Sequence, residues 1–434
     1  MQRAARLRSA LVRPVDAASL AAFRVLLGGV LLLSVVRSLQ KGVVAQGLLA
    51  PQFFFTHYGF AWLPPPGALA YLIYGVLGML SLCLVLGVYT RLAAGLFCLL
   101  FSYLHLVDLT HYLNHYYLVT LLTALLAVVP IGEVACLTAG GGAQHVPSWV
   151  LALFRFQIGV VYFFGGVAKL KHDWLFAGEP LRTWLAANTE VPLLGALFAT
   201  RWAPYLMSWL GAIYDLSVPF ALSWRRTRPL AYAAVVFFHL ITARLFQIGI
   251  FPYLMMAGST LFFAPDWPRR ALRRPGPLPT ASARSPLRRW QVAAMSTYVA
   301  LQLLAPLRHF LYPGNMLWTE QGFRFAWHVM LIEKTGSAEF TLVDRRTAVR
   351  RTIFPRTILT RAQDKAMATQ PDMILAFAHE LARRESVRGR EVAVYADVLV
   401  SLNGRTPRRL IDPAVDLSRE REGFAPKRWI LPGP

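Results

Sequence analysis

Lys169 closes an apolar run in the segment Tyr162-Phe-Phe-Gly-Gly-Val-Ala-Lys-Leu-Lys-His-Asp-Trp174. A lysine in an apolar setting loses the solvation of its ammonium form, which can lower its pKa by roughly 3–5 and leave a neutral amine able to act as a base near pH 7. Gly165 and Gly166, one turn earlier, would let a neighbour or a ligand approach closely. The competing reading is a lysine that snorkels from a helix end to the membrane interface. His115 follows Asn114 at the start of a second apolar run; there an Asn can cap a helix and a His can take or give a proton near neutral pH. His239 sits among Phe237, Phe238 and Leu240, where no water is expected, so it is either a proton-transfer group or a buried ring bonded to a backbone carbonyl. Asp108, His111, Lys171, His172 and Asp173 lie close in sequence to these groups. Ionisable groups in apolar runs are costly and ask for a reason.

The elements that carry them are membrane spans. Apolar residues make up 56% of the 434 residues and charged residues 15%, against roughly 45–50% and 25% in soluble domains. The apolar segments fall near Leu20–Leu39, Ala68–Tyr89, Leu92–Leu109, Tyr116–Val129, Trp149–Leu170, Tyr205–Ser223, Pro229–Leu245, Phe246–Phe263 and Trp290–Tyr312. Most have the length needed to cross a hydrocarbon core of roughly 30 Å. The fourth is short, and the seventh and eighth are one apolar stretch that we divide near Arg244. The fold class expected is therefore a membrane all-α bundle of about nine transmembrane helices followed by a β-rich extracytoplasmic domain. The bundle would occupy residues 1–312 and the domain residues 313–434.

Charge sets the orientation. The excess of 45 Lys+Arg over 22 Asp+Glu collects in short runs between spans, at Arg225, Arg226 and Arg228 and from Arg269 to Arg288. With a cytoplasmic N-terminus these loops fall inside, as basic loops do. The polar groups around Lys169, His115 and His239 then gather in the outer half of the membrane. No basic stripe interleaved with aromatics suggests nucleic acid. The N-terminal arginines ahead of Leu20 lack a cleavage site, so a retained first span is expected. Cys83, Cys98 and Cys136 have neither metal-ligand spacing nor a disulfide framework; no metal is expected. Pro265–Pro286 reads as a cytoplasmic linker. Beyond Pro313 the pattern changes to short alternating runs, Phe325–Glu333, Glu339–Val343, Ala348–Phe354 and Val392–Leu402, with a turn signal at Asn403-Gly404 and one amphipathic helix over 371–388.

Five blocks, in order, give the chain a resemblance. The Tyr162–Trp174 segment and Leu113-Asn-His-Tyr-Tyr-Leu118 are similar to the vitamin K-dependent γ-glutamyl carboxylases. So are Phe238-His-Leu through Phe251, Trp318-Thr-Glu-Gln-Gly-Phe-Arg-Phe-Ala-Trp327, and Asp397-Val-Leu-Val-Ser-Leu-Asn through Pro413. The resemblance implies an enzyme that uses reduced vitamin K (menaquinol or phylloquinol), dioxygen and carbon dioxide to convert glutamate in a peptide or protein to γ-carboxyglutamate, releasing the epoxide. It implies Lys169 as the base that deprotonates the quinol, His115 and His239 as supporting catalytic groups, and Asn114 with Gly165 and Gly166 at the cofactor site. A dry cleft between spans four, five and seven would exclude water and admit a lipid-soluble quinol sideways from the membrane lipid.

Against the animal members, Ala168 stands where a second lysine is found. The outer domain has no cysteine, and the sequence stops soon after it. The compact, Arg-rich chain suggests a bacterial member placed in the inner membrane. Two other classes stay open on residues alone: a quinol oxygenase that forms epoxide without fixing carbon dioxide, and a non-catalytic transporter or scaffold, whose charges would spread through the membrane depth.

Overall fold

A computed structural model describes residues 9–131, 144–192, 194–274 and 287–434. Cys136, Arg3, Arg6, Arg8, Arg284 and the middle of the proline- and arginine-rich linker lie outside the described residues. Each apolar segment contains a helix, the last two stopping short of the segment ends: α1 (Ala18–Gln40), α2 (Leu69–Leu86), α3 (Thr90–Val107), α4 (Asn114–Val128), α5 (Ser148–Ala168), α6 (Ala203–Ser223), α7 (Arg228–Leu245), α8 (Phe251–Ser259) and α9 (Arg289–Leu304). Five of them, α1, α2, α3, α5 and α6, are long and apolar enough to cross a membrane. The protein is thus a multi-pass membrane protein. The break between α7 and α8 falls over 246–250, so the long apolar stretch is divided where a single helix would overshoot the bilayer.

Two ends of the bundle are tied separately. At one, strand β1 (Pro14–Asp16) pairs antiparallel with β2 (His145–Pro147), and the Arg269 guanidinium meets Asp16 at 2.8 Å. At the other, the Leu109 N–H donates to the Phe55 carbonyl. There Gln363, from the short helix Arg361–Met367, donates to both the Phe53 carbonyl (2.7 Å) and the Asp108 carboxylate (2.9 Å).

The C-terminal region, read above as the outer domain, is built on a four-stranded antiparallel sheet of β3 (Lys334–Asp344), β4 (Arg350–Ile353), β5 (Val392–Leu402) and β6 (Arg408–Arg409), in the order β4-β3-β5-β6. Helix α10 (Pro371–Val387) covers one face with Met373, Ile374, Phe377 and Leu381. Alternation explains the sheet: Val392, Val394, Ala396, Val398 and Val400 all point to the α10 side and are buried. Asn403 and Gly404 both take positive φ, 52° and 71°, the pair that a tight hairpin turn requires.

One expected strand does not form. Phe325–Glu333 is not a strand but an irregular strap, with positive φ at Phe325, Trp327 and Met330. Its apolar residues do not line a sheet face: Trp327 plugs the helix bundle, while Leu331 and Ile332 pack in the core around the sheet. Trp327 is fully buried within the bundle core and stacks on Tyr117 with ring centroids 5.0 Å apart. In the other direction Leu109, Trp174, Leu175, Ala203 and Ala212 join the core of the outer domain. The two parts therefore share buried surface rather than meeting across a linker.

The loop after α5 is clamped to the same domain. Asp173 receives Arg405 through two bonds of 2.7 Å and Asn403 through one of 2.8 Å. The Arg405 guanidinium holds the Asp173 carboxyl below the usual carboxylate range. A carboxyl whose folded pKa is depressed contributes stability above its unfolded pKa of about 3.9, and that contribution fades as pH falls through the lower folded value. Arg405→Ala is accordingly expected to lower the unfolding midpoint at pH 7 by an amount worth roughly 1 kcal/mol, since the guanidinium is partly solvated. The gap from wild type should shrink below about pH 3.9; thermal unfolding in detergent across pH 3–7 measures it. A gap independent of pH would remove the ionic account.

Candidate active site

Lys169 follows directly on the last turn of α5, and its ammonium is not alone. Nζ lies 2.6 Å from Asp215 Oδ2 and donates to the Gly165 carbonyl at 3.2 Å; lysine and aspartate are 6% and 8% exposed. The ring of Trp174 stands 5.3 Å from Nζ and is itself fixed by a bond from Nε1 to the Ser208 carbonyl. The lysine that the sequence sets in an apolar run is thus held in a buried ion pair. Asp215 went unnoticed in the sequence, although a lone acid in the middle of a span was the available signal.

The glycine pair has two distinct roles. A Cβ on Gly166 would stand 2.7 Å from Leu216 Cγ and 2.8 Å from Leu216 N, so this glycine lets α5 and α6 approach backbone to side. The close neighbour is a helix, not a ligand. A Cβ on Gly165 would meet Asp215 Oδ2 at 3.6 Å, an ordinary contact. We therefore expect Gly166→Ala to cost about 1–3 kcal/mol by overpacking and Gly165→Ala to leave the unfolding midpoint near wild type, both read by thermal unfolding. Equal effects would show that the helix contact does not depend on Gly166.

His239, on α7, is 2% exposed. Its Nε2 shares a hydrogen with the Tyr162 hydroxyl at 3.0 Å, and Tyr162 also reaches Ser259 Oγ at 3.3 Å. Nδ1 of His239 has no partner. Tyr162 is another residue that sequence reasoning passed over, because a tyrosine in a span reads as belt or core.

Lys169, Asp215 and His239 line one cavity. Its walls are otherwise apolar and aromatic, with Trp174, Phe238, Phe246 and Phe251 among them. The cleft lies between α5, α6, α7 and α8, so α6 stands where span four was expected. His115 lines a different cavity together with Asn114, His328, Arg37 and Lys41. Ile248, Phe251, Val329 and Met330 belong to the lining of both. The Phe251 ring lies 6.1 Å from His115 and 5.9 Å from His239. The single cleft expected from sequence is thus two chambers with a shared wall, and half of that wall comes from the strap of the outer domain.

Asn114 does not cap α4. Its Nδ2 donates to the His328 carbonyl at 2.8 Å, and its Oδ1 accepts from the Tyr112 hydroxyl at 3.1 Å. The strap's backbone competes better than the first turn of α4 because it is buried and needs a donor. His115 Nε2 has no hydrogen-bond partner although the residue is 8% exposed. Among the described residues no group of His, Cys, Asp and Glu could hold a metal ion.

Comparison with known families fits this arrangement. Residues 12–267 match the HTTM domain, and residues 287–434 match the lumenal domain of vitamin K-dependent gamma-carboxylase. The chain belongs to the vitamin K-dependent γ-carboxylase family. No solved structure matches it. In this family member both matched regions contribute to the walls around Lys169: the HTTM region supplies the ion pair and His239, and the lumenal region supplies Val329 and Met330.

Proposed function

We propose that the protein is a quinol-dependent γ-glutamyl carboxylase with Lys169 as the base that takes the quinol proton. The observation that carries this reading is the Lys169–Asp215 pair, buried at 2.6 Å in an apolar, aromatic-walled cavity. Ring-shaped apolar substrates suit such a cavity, and a few convergent polar groups suffice to orient them. Reduced vitamin K, with dioxygen, would supply there a base stronger than any side chain, which removal of a glutamate γ-proton demands.

The chain's own groups then have defined tasks. An ammonium cannot accept a proton, so Lys169 must first be relieved of one. Transfer along the short contact from Nζ to Asp215 Oδ2 leaves a neutral amine beside a neutral acid, with no net charge moved out of the dry site. The amine can then take the hydroxyl proton of the quinol, becoming ammonium again while Asp215 stays protonated. The anion formed is balanced by the same cation. Trp174 holds the ammonium from one side through its ring face. His239, oriented by Tyr162, offers an unpartnered Nδ1 as a further hydrogen-bonding group. His115 and Asn114 serve the neighbouring chamber, where the glutamate would react with carbon dioxide.

The same reading assigns the membrane part, residues 1–312, to catalysis with nine crossings, and residues 313–434 to the extracytoplasmic side with the N-terminus in the cytoplasm. The two separately tied ends of the bundle fit the first eight of these crossings. Asp16 and Arg269 meet at one end, Phe55 and Leu109 at the other, and each pair is separated by an even number of the proposed crossings.

The deciding experiment is incorporation of labelled carbon dioxide into a glutamate-containing peptide by purified protein with reduced vitamin K and oxygen, with epoxide monitored in the same tube. Both products together are expected. Epoxide alone would turn the assignment to a quinol oxygenase, and neither product across several peptides and quinols would overturn the enzymatic reading.

A further inference from the structure

A third cavity, of about 410 Å³, lies where the end of α5 meets the 3-10 turn Ala305–Leu311 and the start of the C-terminal region. Its size falls within the range of small-ligand sites. Among the described residues its walls hold one fixed cation, Lys171, and no carboxylate. Lys171 is half-buried, and among the described residues no carboxylate lies within salt-bridge distance of it. Asp173, two positions on, is already held by Arg405 and Asn403. A partly desolvated ammonium without a counter-charge favours an anion beside it. Two further polar groups line the same space. Asn315 accepts from the Leu317 N–H through Oδ1 at 3.0 Å, which leaves its amide hydrogens available. His309 donates from Nδ1 to the Pro306 carbonyl at 2.9 Å, so that in the neutral ring Nε2 is an acceptor suited to a hydroxyl.

The mouth of the cavity selects the kind of anion. Leu170, Leu307 and Phe310 belong to the lining, yet they are 53%, 40% and 73% exposed, and Leu311 beside them is 79% exposed. On a multi-pass membrane protein such a cluster faces acyl chains. Lys171 lies three residues beyond Ala168, the last residue of the spanning helix α5, which is where phospholipid headgroups sit. A cation at headgroup level with an apolar apron next to it matches an amphipathic anion and not a soluble one.

We propose that this cavity binds the headgroup of an anionic phospholipid, with the phosphate on Lys171 and Asn315, a headgroup hydroxyl on His309, and the acyl chains over Leu170, Leu307 and Phe310. A space of this size holds a headgroup but not two chains, so the chains lie on the exposed rim. Val167 of α5 and Ala326 of the strap line the same cavity, and a bound headgroup therefore joins the end of α5 to the strap that walls the other two chambers. The inference is independent of the reaction that the protein catalyses.

Native mass spectrometry of the full-length protein, incubated in detergent with equal amounts of phosphatidylglycerol and phosphatidylcholine, tests it. Wild type is expected to retain one phosphatidylglycerol in preference to phosphatidylcholine by about tenfold, the scale of a charge-assisted hydrogen bond. Lys171→Gln should bring that preference close to one and Lys171→Arg should keep it. Arg226→Gln, in the basic loop between α6 and α7, should leave it unchanged, and Phe310→Ser should weaken retention of both lipids. Thermal unfolding gives a second readout: added phosphatidylglycerol should raise the midpoint of wild type and Lys171→Arg but not of Lys171→Gln. A Lys171→Gln variant that keeps the preference and the midpoint rise overturns the site, as does an equal loss in Arg226→Gln, which would mark general adherence to basic loops. Glycerol phosphate that binds through Lys171 as tightly as phosphatidylglycerol would make the ligand a soluble anion and overturn the lipid assignment. Retention untouched by Phe310→Ser would overturn the placement of the acyl chains.

Discussion

Replacement of Lys169 by alanine is expected to abolish quinol epoxidation and carbon dioxide fixation together, each by about 10³-fold or more, the scale of losing a positioned proton-transfer group. Both must fall because the same base acts before the two outcomes diverge. Lys169→Ala leaves Asp215 in an apolar cavity without its cation, so the measurement has to include a folding control. A variant that is folded, as judged by thermal unfolding, and still forms epoxide while failing to fix carbon dioxide would remove Lys169 from the first step.

The second large effect belongs to Asp215. Asp215→Ala strands the Lys169 ammonium among Trp174, Phe238 and Phe251, and loss of one partner of a buried pair costs about 3–5 kcal/mol. Replacing both partners by apolar residues of similar size, Lys169→Met with Asp215→Leu, is expected to recover most of that stability, since the desolvation of two charges disappears with them. Activity should not recover. Thermal unfolding and epoxide formation, measured on the two single variants and the double, form a cycle that distinguishes the roles. Should Asp215 matter only as structural support, Asp215→Asn would unfold at a lower temperature but keep wild-type epoxidation per folded molecule. Should it relay the proton as proposed, Asp215→Asn would lose about 10²-fold or more in epoxidation even where folded.

Much of the outer domain could be read before the structure. Val392–Leu402 largely alternates and is a strand over that range; the amphipathic pattern over 371–388 is a helix over Pro371–Val387; and Asn403-Gly404 turns as its residue types require. These succeed because strand, helix and tight turn depend on neighbours a few residues apart. The segment Phe325–Glu333 misled for the opposite reason. Its Trp327 satisfies a helix bundle formed some two hundred residues earlier, where it stacks on Tyr117, and no local period records that. Asn114 misled in the same way: capping is a local preference, and a distant carbonyl outcompeted it.

Sequence alone specifies a membrane protein with a sheet-bearing C-terminal region, because apolar length and short-range periodicity are properties of contiguous residues. It also determined which segments carry Lys169, His115 and His239, and through its ordered blocks the family to which they belong. It took the packed fold to pair Lys169 with Asp215, 46 positions away, to set His115 and Lys169 in separate chambers, and to make part of their common wall from a strap of the C-terminal region. Partner choice of this kind follows from which helix faces meet. That is settled by close approach at positions such as Gly166 against Leu216 and by the need of buried charges and orphan polar groups to be satisfied at long range.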